Sequence, residues 1–112
     1  MDTIPERIAK IEATLRNAAN IPDGTRQELL DLLAGLKTEV GPLVTTHGES
    51  AQQITGSADA AVQAAVHREA QPDEAAQAVE GLAASVRDFE VSHPRLVQIV
   101  DRLAVTLSNM GI

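Results

Sequence analysis

Apolar residues in this chain recur at steps of three and four, and proline or glycine interrupts the pattern between one such run and the next. Steps of three and four follow the 3.6-residue period of a helix, so each run lays its apolar side chains along one stripe. Runs of β-branched and aromatic residues with period two are nearly absent, while alanine and leucine dominate. The expected fold class is therefore all-α, with about five helices arranged as antiparallel hairpins or a bundle in a single domain over residues 1–112.

The first stretch, 3–20, opens with Thr3 ahead of Pro5 and Glu6 and carries Ile4, Ile8, Ile11, Leu15 and Ala18 on one stripe; Asn20, Ile21 and Pro22 stop it. The second, 24–41, has Thr25 and Glu28 at capping-box spacing with Asp23 as a competing cap, and Gly41-Pro42 ends or kinks it. A third, 47–70, begins near Thr46 and Glu49, again at capping-box spacing, and places Ala51, Ile54, Ala58, Ala61, Val62 and Ala65 on one face. The fourth, 73–91, follows Pro72 and aligns Ala76, Val79, Leu82, Ala83, Val86 and Phe89. The fifth, 93–110, aligns Leu96, Ile99, Val100, Leu103, Leu107 and Met110, with Gly111 where a C-terminal cap belongs.

Five leucines fall within residues 29–36, an arc wider than the two positions per heptad of a coiled-coil seam, so the second helix is expected to touch two neighbours. Alanine occurs twelve times between residues 51 and 86, which allows close approach of helices but leaves little side chain to bury. Gly56, Ala60 and Ala64 are spaced like a membrane-dimer motif, yet Gln52, Gln53, Asp59 and Gln63 rule out a span, and the stripe reads as close packing in water. A thin core in one copy predicts completion by a second, a homodimer with Leu29, Leu30, Leu33, Leu36 and Val40 as the dimer face.

A formal charge of −7 and a pI near 4.8 oppose nucleic-acid binding, and the bases are scattered with no aromatic beside them to stack a nucleotide. The same scatter disfavours anionic lipid. No cysteine is present, which removes disulfides and thiolate chemistry. The first residues mix acids with bases and hold no continuous apolar run, so neither a signal peptide nor a membrane span is expected, and the location is expected to be cytoplasmic.

Histidines 47, 67 and 93 are the plausible general bases or metal ligands. His47 with Glu49 and His67 with Glu69 stand two apart, which on a helix turns the side chains to different faces. A metal bridged between helices stays open, but no metal or cofactor is expected. There is no G-x-S-x-G and no phosphate-cradling glycine loop, and the acidic pairs Asp73-Glu74 and Asp88 with Glu90 read as a helix start and a solvated face, so the chain is not expected to be an enzyme. The segment FEVSHPRL, 89–96, holds the only aromatic residue. Pro94 drives His93 out of helical geometry, so Ser92 or His93 caps the next helix, Phe89 packs beside the corner and Val91 staples onto Leu96. Phe89, Ser92, His93, Pro94 and Arg95 are the candidate partner contacts if that corner also grips another protein.

FEVSHPRL and the ending LSNMGI, joined through GLAASVRDFEVSHP and extending loosely to about Glu49 with HREA at 67–70, resemble a family of small bacterial proteins catalogued as a domain of unknown function, the one numbered forty-four-oh-four. The resemblance implies a small all-helical cytoplasmic protein and no activity. The expected function is a non-enzymatic helical interaction or assembly protein, with a phasin-like amphipathic coat on a granule or membrane as the alternative. A histidine-dependent metal enzyme ranks third.

Overall fold

A computed structural model of the protein describes residues 3–110, so the Gly111 cap lies outside the described residues. Among the described residues six α-helices follow in order: α1 (Ile4–Asn17), α2 (Asp23–Val40), α3 (Leu43–Thr46), α4 (Gly48–Val66), α5 (Pro72–Ala84) and α6 (Pro94–Ser108), with a 3-10 turn at Arg87–Phe89 ahead of α6. No strand occurs among the described residues, and the fold is an all-α bundle.

Local chemistry explains most of the boundaries. Thr3 caps α1 through a complete capping box: its hydroxyl accepts from the Glu6 N–H at 3.3 Å, and the Glu6 carboxylate accepts from the Thr3 N–H at 3.4 Å. The two other expected capping boxes do not form. Pro22, with φ of −60°, precedes α2 and leaves Thr25 inside the helix, while Glu28 reaches across to Thr106 and Arg102 of α6. Thr46 ends α3 rather than starting α4, and His47 takes the cap position with φ −140° and ψ 55°.

The second and third helices are not continuous across Gly41-Pro42. Gly41 still closes onto the Lys37 carbonyl, but Pro42 offers no N–H, and the chain makes the single turn α3, pinned by buried Leu43, before re-entering a helix at Gly48. The fourth helix stops at Ala84, short of the expected 91. The Ser85 N–H is shared between the Gly81 and Leu82 carbonyls, and the Ser85 hydroxyl donates to the Leu82 carbonyl at 2.6 Å, which tightens the turn and leads into the 3-10 segment.

The five long helices form a closed ring, each packed on the next in the order α1, α2, α6, α5, α4 and back to α1. Residue pairs fix the directions. Arg7 meets Asp59 and Thr14 meets Gln63, so α1 and α4 run parallel; Glu28 meets Thr106 and Gly35 meets Ile99, so α2 and α6 run antiparallel. The apolar stripes converge inside the ring: Ile8, Ile11 and Leu15 from α1, Leu29, Leu33 and Leu36 from α2, Ile54 from α4, Leu82 from α5, and Leu103 and Leu107 from α6 are fully buried in one cluster.

This packing corrects the expected dimer face. Leu29, Leu33, Leu36 and Val40 are 0% exposed within one chain and Leu30 is half-buried, because α2 lies between α1 and α6 and its wide arc is covered from both sides. The two expected neighbours of this helix are both found inside the protomer, so these leucines are not free to face a second copy. The Gly56, Ala60, Ala64 stripe is not a tight seam either: Ala60 is exposed, and the space above Gly56 is filled by the Arg7 guanidinium. The face that packs is the one predicted for α4, with Ala51, Ile54, Ala58, Ala61, Val62 and Ala65 all buried and Thr55 donating to the Ala51 carbonyl beside them.

Gly81 lies in the exposed interior of α5, and a Cβ there meets nothing within 4 Å. Gly81→Ala is therefore expected to raise the unfolding free energy by about 0.5–1 kcal/mol, read from urea denaturation, because alanine restricts the unfolded chain without a steric cost in the folded one.

Candidate functional site

The ring has two chemically different ends. At one end the N-termini of α4 and α6 carry two imidazoles, His47 and His93, which the chain separates by 46 positions. Their ring centres lie 6.2 Å apart, and the Phe89 ring meets both edge-on, at 5.6 Å from His47 and 5.4 Å from His93. Each histidine is the cap residue of its helix, and each Nδ1 lies 2.9 Å from the hydroxyl of the residue before it, Thr46 for His47 and Ser92 for His93.

The corner forms largely as its sequence requires. Pro94 occupies the first turn of α6, His93 adopts φ −138° and ψ 66°, and the His93 N–H closes the preceding turn onto the Phe89 carbonyl at 2.8 Å. Phe89 is buried, at 7% exposure, and Leu96 is buried beneath the start of α6. Val91 does not staple onto Leu96. It projects from the turn at 96% exposure, because the 3-10 segment turns the chain before Val91 reaches the core side. Ser92, Pro94 and Arg95 are exposed, as is Val44 on α3, one turn before His47.

At the opposite end the C-termini of α1, α4 and α6 meet, and two arginines satisfy their carbonyls. Arg26 donates to the carbonyls of Leu15, Ala18 and Ile21 and pairs with Asp23, while Arg68 donates to those of Ala65, Asn20 and Met110. Beside them a groove of about 610 Å³ runs between α2 and α6, lined by Thr25, Glu28, Arg102, Val105 and Thr106 among others. His67 belongs to this end, where it caps the C-terminus of α4 and its Nδ1 lies 2.8 Å from the Gln63 carbonyl. Its distance from the other two histidines is set by the 19 residues of α4, about 28 Å of helix.

Phe89, Ser92, His93, Pro94 and Arg95 thus share one corner, and His47 joins them, a placement that sequence reasoning missed. The available signal is a repeated pattern: in Thr46-His47 and Ser92-His93 a hydroxyl residue precedes a histidine at a helix start. The profile of a family described as Domain of unknown function (DUF4404) matches residues 29–112. The chain belongs to that family. In this DUF4404 member the matched region takes in most of α2 and all later elements, including both imidazoles of the corner, and leaves α1 outside. No curated protein and no solved structure matches the chain.

Proposed function

We propose that this DUF4404 member is a non-enzymatic helical interaction protein that grips a partner protein through the 89–96 corner. The observation that carries the reading is Val91, a large aliphatic side chain held at 96% exposure on a short turn between buried Phe89 and the cap of α6. A turn closed by the His93 N–H onto the Phe89 carbonyl presents it, and the adjoining imidazoles and the Arg95 guanidinium supply a polar rim of the kind that surrounds the apolar centre of an interface.

A granule or membrane coat is less well supported by the same geometry, since the apolar stripes that would lie on such a surface are turned into the ring. No helix among the described residues is long and apolar enough to cross a membrane. The test is affinity capture from the native host with the wild type, Val91→Glu, and Val105→Glu on the far groove as a control. Wild type and the Val105 variant are expected to retain the same partner, and Val91→Glu to lose it with its helical circular dichroism unchanged. Identical protein sets from all three, or none from any, would refute the proposal.

A further inference from the structure

We propose that His47 and His93 form a two-histidine site for a borderline divalent metal ion of the Zn²⁺ class. Two imidazoles bound to one tetrahedral ion through bonds of ~2.0–2.1 Å have ring centres roughly 5–5.5 Å apart, and the rings here, at 6.2 Å, reach that spacing through a side-chain rotation that closes about one ångström. The site is constructed twice over in the same way. Both histidines cap a helix with nearly identical backbone angles, −140° and 55° at His47, −138° and 66° at His93. Both place Nδ1 at 2.9 Å from a hydroxyl oxygen of the preceding residue.

That contact is compatible with ligation through the other ring nitrogen. When Nδ1–H donates to the hydroxyl oxygen, the ring's lone pair resides on Nε2, the arrangement in which histidine ligates metals with its other nitrogen held by an outer partner. Phe89 lies against both rings and limits their rotation, which reduces the ordering cost of bringing two nitrogens to one ion. His47 is exposed and His93 half-buried, so an ion reaches the pair from solvent. Among the described residues no three of His, Cys, Asp and Glu stand together, so the remaining coordination positions belong to water. Such a site binds more weakly than a closed one with four protein ligands and stays open to an exogenous ligand.

The experiment is titration of the untagged full chain with Zn²⁺ by calorimetry, paired with imaidazole-nitrogen NMR at each addition. One ion per chain is expected, with the ring signals of His47 and His93 shifting together and those of His67 unmoved. His47→Gln and His93→Gln should each weaken binding at least tenfold, a cut consistent with losing one of two ligands, and His67→Gln should leave it unchanged. The inference is overturned if the wild type shows no saturable binding, if one ion bridges two chains, or if the His67 signals move with the others. The NMR arm reads the unsubstituted protein, so it decides even if a variant fails to fold.

Discussion

Replacing Leu33 with alanine is expected to lower the unfolding free energy by about 3 kcal/mol, and by the same amount at every protein concentration. Leu33 has no exposed surface, and it lies on α2 where the helix is covered by α1 on one side and α6 on the other. Truncation removes its packing within the core cluster and leaves a cavity that the surrounding helices collapse into only partly. The concentration test matters because the same leucine on a dimer face would behave differently. An interface residue weakens association, so its cost would appear as a concentration-dependent midpoint, and the mass would fall from a dimer toward 11.8 kDa. Urea denaturation across a wide dilution series, with mass by light scattering, separates the two. A midpoint that rises with concentration would return the leucine face to the surface and undo the packing described above.

The stripes were legible because each depends only on residues within one helix. Ile4, Ile8, Ile11, Leu15 and Ala18 stand on one side of any helix that contains them, and a core forms wherever such sides can meet. The breaks at Pro22, Gly41-Pro42, Pro72 and Pro94 were legible for the same reason, since a missing N–H acts on its own turn. Closure was not legible. Twelve alanines suggest a thin core, yet small residues on α4 and α5 let those helices approach closely, and the large side chains of α1, α2 and α6 fill the ring from the other side.

The corner was half legible. Pro94 dictates the break before it, so Phe89, Ser92 and His93 were placed at a joint by local rules. Those rules are silent on His47, whose approach to His93 depends on α4 and α6 starting at the same end of the ring. The capping boxes at Thr25-Glu28 and Thr46-Glu49 misled for a related reason: proline geometry and a tertiary partner for Glu28 outweigh a local bond of about 1 kcal/mol.

Arg68 shows the same limit from the other end, and its removal should be costly. In sequence it is one of nine scattered bases; in the fold its Nε donates to the Met110 carbonyl at 2.7 Å, and its two terminal nitrogens donate to Ala65 at 3.0 Å and Asn20 at 3.1 Å. Those carbonyls lie in the last turn of α4 and in the turns that follow α1 and α6, where helix geometry leaves acceptors in excess and the dipoles present partial negative charge. A single guanidinium therefore ties the turn after α1 and the turn after α6 to the end of α4. Asn20 adds one further strand to the joint by donating to the Val66 carbonyl at 2.9 Å.

Arg68→Ala is expected to cost about 2–4 kcal/mol, less than the sum of three charge-assisted bonds because water reaches part of the joint, with a fall in the thermal midpoint on the order of 10 °C. Arg68→Lys should recover only part of this, since a lysine supplies the charge without the planar fork that spans three acceptors. Arg16→Ala, at an exposed position in the last turn of α1, should stay within about 0.5 kcal/mol and serves as the control. Chemical and thermal denaturation of the three variants decides the matter. Full rescue by lysine would mean that charge at the helix ends, rather than geometry, holds this end of the ring closed.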